Sequence, residues 1–269
     1  MSLTKSLDCS LTYWIEMYKQ TYDDKKLIVW VDMSTYCNAA CPECHRTNPN
    51  GLGKVDWLSL VQWSIDDFKK LYPPNTMEHI YKFDFCGTFG DPVMTKDIHE
   101  ILTYIANNSD CQIQIHTNGS MRTEDWWWDM GVLFKERLEV IFAIEGTTQD
   151  QHSFYRQNTD LFTVMNNMES IAATKAFVNV FCVVHKHNQN SLYDIAVMCR
   201  DAGADNIWFC PSNRFYESTG RTSFKFIKDG KIHYLEKPEV DYKDKIFNRG
   251  YGLKDERSLA LLKQMQHNL

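Results

Sequence analysis

The sequence predicts an α/β chain of parallel strands joined by helical crossovers, and three observations carry that expectation. Six short runs rich in β-branched and aromatic residues recur along the chain, helix-like segments separate them, and the chemically unusual residues collect just after the strand ends. The chain has 269 residues, 43% of them hydrophobic and 13% aromatic, which is enough for a sizeable core and too apolar for a disordered polymer.

The elements follow in order. Residues 9–22 read as a short helix with Leu11, Trp14, Ile15 and Tyr18 on one side, capping the core. The expected strands are 27–33, 81–85, 112–116, 139–144, 178–184 and 206–209, each read as a buried strand. Helical segments are expected at 57–71, 97–106 and 124–134. Leu161, Val164, Met165 and Met168 share a helical face, as do Leu192, Ile195, Ala196 and Cys199. After the sixth strand the rhythm stops. Residues 224–235 read as a hairpin turning at Asp229-Gly230, and 254–267 as a final helix carrying Leu259, Leu262 and Met265. Such βα units can curl into an open partial barrel or lie as a doubly wound sheet. In both arrangements the site lies at the C-terminal strand ends.

Charge narrows the partners. A net charge of −6 makes the chain a poor candidate for gripping nucleic acid. Residues 211–269 carry 12 Lys and Arg against 8 Asp and Glu, whereas residues 1–210 carry 17 against 27. With no block of five like charges, the basic tail reads as a solvated face. A mean hydropathy of −0.43 and the lack of any run of eighteen apolar residues predict no membrane span. The opening residues lack a signal-peptide stretch, which places the expected site of action in the cytoplasm.

Nine cysteines in such a chain do not read as a disulfide framework. Three are clustered as Cys37-x3-Cys41-x2-Cys44, just after the first strand. Three thiolates on one loop suit a soft metal centre, zinc or iron–sulfur. Structural zinc needs a fourth protein ligand, either His45 or a distant cysteine, whereas a cubane held by three thiolates leaves one iron open to a small ligand. Cys111, Cys182 and Cys199 read as buried filler. Cys86 and Cys210 sit at strand ends, where each donates a hydrogen atom, lines the pocket or simply packs. The tryptophans at 126–128 point about 100° apart on a helix, so packing explains them better than a stacking platform. His185 and His187 at a strand end read as hydrogen-bonded filler.

The cysteine array and four further segments, in this order, resemble the radical S-adenosylmethionine (SAM) superfamily over about residues 27–211. Gly87-Thr88-Phe89-Gly90-Asp91-Pro92 is similar to its glycine-rich motif, with Asp91 in place of Glu. Ile115-His116-Thr117-Asn118-Gly119 resembles the third strand's ending. Ala143-Ile144-Glu145-Gly146, with His152, Arg156 and Phe162 behind it, and the run from Val183 to Asn188 are similar to the endings of the fourth and fifth strands. A second position departs from the pattern: Glu43 stands where the family usually has an aromatic residue beside the adenine.

The resemblance implies a partial (β/α)6 TIM-like barrel over 27–211, with an N-terminal helix and lead-in at 1–26; the tail at 212–269, which no linker-like stretch sets apart and which is rich in Tyr, Phe, Lys and Arg, is expected to pack on the same domain and cover the substrate. It implies one [4Fe-4S] cluster on Cys37, Cys41 and Cys44, with SAM on the fourth iron. Cleavage of SAM by one electron from a donor such as flavodoxin or ferredoxin would give a 5′-deoxyadenosyl radical that abstracts hydrogen from a small-molecule, peptide or nucleotide substrate. Gly87, Gly90, Asp91, Thr117, Asn118, Glu145, Arg156 and Asn188 are the implied SAM contacts, with Arg156 facing the SAM carboxylate. The alternatives are a catalytically inactive iron–sulfur or SAM-binding scaffold and a zinc-stabilised α/β protein.

Overall fold

Along strands such as Leu27–Val31 and Leu138–Ala143 more buried and more open side chains alternate, and that alternation sets the architecture. The structure, a computed structural model, describes residues 27–48, 53–212, 215, 220–239 and 250–267. Strands β1 (Leu27–Val31), β2 (Ile80–Phe85), β3 (Gln112–Thr117), β4 (Leu138–Ala143), β5 (Phe177–Val184) and β6 (Asn206–Pro211) pair in sequence order, all parallel. An order without reversal excludes the doubly wound sheet, which needs a switch point. The fold is a partial TIM-like barrel.

One face of this wall is core. Phe83, Ile113, Val140, Val180 and Ile207 are buried beneath Phe68, Ile101, Trp127, Val164 and Ile195. Those covering residues lie on or between α1 (Ile65–Leu71), α2 (Pro74–Met77), α3 (Ile98–Asn108), α4 (Glu124–Phe134), α5 (Gln149–Tyr155), α6 (Leu161–Ala172) and α7 (Leu192–Asp201). The other face is half-exposed. The expectation of strands buried on both faces is therefore corrected, because too few strands are present to close the barrel over its own interior.

A second correction concerns the helix expected at 57–71, which begins only at Ile65. Ser64 and Asp67 form a reciprocal capping box that sets the start. The residues before it run beside the end of β1, where Trp63 N–H donates to the Met33 carbonyl and Thr35 N–H to that of Val61, each at 2.9 Å. The three tryptophans separate as helical geometry requires. Trp127 is buried against Phe142, while Trp128 is exposed.

The tail contributes three pieces. Strands β7 (Ser223–Lys228) and β8 (Lys231–Glu236) form the expected hairpin, with Asp229 at φ 51° and Gly230 at φ 71°, both in the left-handed region that a two-residue hairpin turn needs. Strand β9 (Gly250–Gly252), unforeseen in sequence, pairs antiparallel with β6. Gly250 is required there, since a Cβ would lie 2.8 Å from the Trp208 ring. Helix α8 (Glu256–His267) buries Leu259 and Leu262 in the main core. The helix expected at 9–22, and Cys9 with it, lies outside the described residues. Among those residues no helix is long and apolar enough to cross a membrane.

Candidate active site

Three strand-end segments and the end of helix α5 converge on one cavity of about 430 Å³. Cys37, Cys41 and Cys44 line it from the loop after β1, Gly87, Gly90 and Asp91 from the loop after β2, and Thr117 and Asn118 from the end of β3, while Arg156 follows α5. Parallel strands place all their C-terminal ends on one rim, so residues distant in sequence meet there.

Asp91 knits three of these segments together. Its buried carboxylate accepts from Thr117 Oγ1 at 3.0 Å, from Asn118 N at 2.8 Å and from Asn118 Nδ2 at 2.7 Å, while its own N–H donates 2.7 Å to the Tyr36 carbonyl. Burial raises the Asp91 pKa, and these hydrogen bonds act against the rise. Asn118 also donates to Asn38 Oδ1 at 2.8 Å, and its Nδ2 lies 3.8 Å from Cys37 Sγ. Thr117 and Asn118 thus brace the cysteine loop.

The two glycines owe their identity to the same packing. A Cβ on Gly90 would lie 1.9 Å from the Ser34 carbonyl oxygen, and one on Gly87 would lie 2.0 Å from that of Gly90. Backbone fills the space. Gly90→Ala is expected to push the Asp91 loop off Tyr36 and to destabilise the chain by about 1–3 kcal/mol, as overpacking does. Urea unfolding checks this, with an unchanged midpoint as the contrary result.

Glu145 and Arg156 are brought together as partners of each other. Arg156 donates from Nε and Nη2 to the two Glu145 oxygens, each at 2.8 Å, and its Nη1 lies 3.4 Å from Cys41 Sγ. Burial opposes the guanidinium charge, but the Glu145 carboxylate outweighs it and the Arg156 pKa is raised. Glu145 is fully buried and does not line the cavity. Asn188 lies away from the cavity as well. Its Nδ2 donates to the Glu145 carbonyl at 3.1 Å and to that of Val183 at 3.0 Å, and its Oδ1 accepts from His185 N, so it joins the ends of β4 and β5.

Glu43, buried, accepts from Ser212 Oγ at 2.7 Å, and its Oε2 lies 3.0 Å from His185 Nε2. The departure from the family pattern is thus a tie from the cysteine loop to the ends of β5 and β6. It also gives His185 the partner expected of a buried histidine. The hairpin adds a cover on that side, where Phe226 and Leu235 pack with Ala39, Cys41, Tyr155 and Phe215. Cys86 and Cys210 are half-buried and neither lines the cavity. Arg46, His116, Ile141, Ala143 and Phe181 do line it, although sequence reading did not select them. A basic residue two positions after Cys44 was the available signal for Arg46; for the others it was their place at inward strand positions.

Burial raises Cys37 to about 12 and Cys41 to about 11, the latter despite Arg156, so thiolates here need a strongly cationic partner. Among the described residues no three His, Cys, Asp or Glu side chains are gathered tightly enough to ligate one ion. His45, the candidate fourth zinc ligand, is exposed. Three sulfurs set around a shared cavity fit a multinuclear cluster, in which each iron takes one thiolate, better than a mononuclear zinc.

Two histidines, His152 buried and His187 half-buried, make this region acid-sensitive. His152 Nδ1 accepts from Glu145 N at 3.3 Å, and burial lowers its pKa to about 4; His187, also mainly through burial, falls to about 3. Both values lie below the ordinary 6.5 of an unfolded chain, so protons favour unfolding. The stability is complete above about pH 6.5 and falls as the pH drops toward 4, by roughly 1.4 kcal/mol per pH unit for each histidine. Urea unfolding between pH 5 and 7.5 should show this slope, reduced in His152→Leu.

No protein-family model matches the chain, and no curated protein matches it in sequence. Its solved structural neighbours are radical SAM enzymes, and the chain has their fold. It is similar to SuiB of Streptococcus suis, solved with S-adenosylmethionine, at 13% identity and TM-score 0.56 over 81% of this chain and 48% of that one. It is also similar to anSMEcpe with bound AdoMet, at 17% identity and TM-score 0.53 over 68% and 50%. TYW1, solved with a lysine-pyruvate adduct, matches at 10% identity and TM-score 0.51 over 84% and 89%. The chain spans about half the length of the first two.

Proposed function

We propose that the chain is a radical SAM enzyme, in which Cys37, Cys41 and Cys44 hold one [4Fe-4S] cluster and SAM binds beside it. One observation carries the reading: the three thiols share a single cavity with the Gly87–Asp91 loop, Thr117, Asn118 and Arg156, the segments in which the sequence resembles that superfamily. When bound, the cluster supplies the electron, drawn from a donor such as flavodoxin or ferredoxin in the cytoplasm, that cleaves SAM to a 5′-deoxyadenosyl radical able to abstract hydrogen from substrate.

The chain's own residues then place and shield. Phe226, Leu235 and Phe215 keep water from Cys41. Arg156 sets a cation beside the Cys41 sulfur, where it favours the thiolate. Since Nε and Nη2 of Arg156 are engaged by Glu145, Arg46 on the cavity wall is the better-placed partner for the SAM carboxylate. Gly87 and Gly90 bring backbone close to the cavity.

Anaerobic reconstitution tests the reading. About four irons and four sulfides per chain, with 5′-deoxyadenosine released on adding SAM and dithionite, is the expected result. One zinc and no sulfide would overturn it. A full cluster that never cleaves SAM would instead identify a scaffold.

A further inference from the structure

The inner face of the barrel carries a second set of polar groups that the cysteine and SAM site leaves unused. Strand register lays it out. His116 is in register with Ile141, Ile141 with Asn179, Ala143 with Phe181, and Phe181 with Trp208. Since His116, Ile141, Ala143 and Phe181 line the cavity, Asn179 and Trp208 continue its wall. One register step deeper, Asp84 is paired with Gln114, and Gln114 with Glu139.

The charges on this wall lean one way. Asp84 and Glu139 share it with one lysine, Lys82, whose ammonium is engaged by Gln114 Oε1 and pairs with neither carboxylate. Its unmet hydrogen-bonding capacity leans the same way. Asn179 is 6% exposed and donates Nδ2 to Glu139 Oε1 at 2.5 Å, which leaves its Oδ1 buried without a partner. Asp84 Oδ1, 3.2 Å from His116 Nε2, makes no directed hydrogen bond either. Both atoms are acceptors closed to solvent in this arrangement, so a ligand that parts the neighbouring side chains satisfies them by bringing N–H donors. Beside them stand aromatic faces left open for their size: Trp30 is 77% exposed, Trp208 42% and Phe181 38%. Aromatic faces next to carboxylates attract cations and gain nothing from phosphates.

We infer that the inner face binds its substrate through an alkylammonium group, carried on a free amine or on a lysine side chain. The ammonium meets Asp84, Glu139 and Asn179, while the attached carbon chain lies along Phe181 and Trp208, beneath the cysteine loop. This inference rests on the proposed function only in treating the inner face as the place where substrate meets SAM. It narrows the substrate class and sets phosphate-bearing nucleotides aside.

Calorimetric titration of the reconstituted, SAM-loaded protein tests it. The probes are 2-phenylethylamine, Nα-acetyl-lysine amide, the neutral N-acetyl derivative of each, and adenosine monophosphate. At least one ammonium probe should bind tenfold or more tightly than its neutral counterpart and than the nucleotide. Which ammonium probe binds better separates a free amine from a peptide-borne one. Glu139→Gln, nearly isosteric, should erase most of that preference, and Asp84→Asn provides the same reading should the first variant not fold. Equal binding of charged and neutral probes, tightest binding of the nucleotide, or no binding of either ammonium probe would overturn the inference. Iron, sulfide and 5′-deoxyadenosine measured on the same preparation report separately on the radical SAM reading.

Discussion

Cys41→Ala is expected to leave the chain without an iron–sulfur cluster after anaerobic reconstitution, whereas Cys199→Ala retains it in full. Both cysteines are buried, but their surroundings differ in kind. Cys199 lies on the core face of α7, fully buried among apolar side chains, and burial alone raises its pKa. It acts as a small hydrophobe, and its truncation should cost about 1 kcal/mol, the scale of one buried methylene. Cys41 faces the cavity with Cys37 and Cys44, and Arg156 Nη1 lies 3.4 Å from its sulfur. Removing it leaves two thiols, one fewer than the irons that need a protein ligand. Iron and sulfide analysis with absorbance near 400 nm checks the pair, and equal iron in both variants would contradict the ligand assignment.

The contrast between these two cysteines also shows where sequence was informative. The C-x3-C-x2-C spacing is local, so the ligand loop could be read directly. The strands and the main helices were legible because burial on one face imposes a period. Pairings over long separations carried no such mark. Nothing around Glu43 announced that it would meet His185 and Ser212. The half-exposed inner face was misread for a related reason: apolar runs such as 178–184 look fully buried, yet Phe177 and Phe181 project from the open side. Arg156 was legible as a site residue, but its partner was not, because the two stand 11 positions apart and the chain folds through a turn and α5 before they meet.

That pairing supports the other large effect. Arg156→Met is expected to destabilise the folded chain by about 3–5 kcal/mol, the range seen when one member of a buried ion pair is removed. The Glu145 side chain is fully buried, and both its oxygens accept from Arg156 at 2.8 Å. Without the guanidinium its carboxylate stays in the interior uncompensated. Glu145→Gln should cost less than Arg156→Met, since the amide oxygen still accepts one Arg156 bond and the guanidinium, 17% exposed, keeps some contact with water. The double variant Glu145→Leu with Arg156→Met should recover much of the loss, because removing both charges leaves neither one stranded. Urea unfolding of the cluster-free chains at pH 7.5 measures all three together with the Glu145→Leu single that completes the cycle. A double variant as unstable as the sum of its singles would show that the two residues act independently. Recovery of stability without recovery of cluster binding would separate the two roles of Arg156: neutralising Glu145, and holding a positive charge against the Cys41 sulfur.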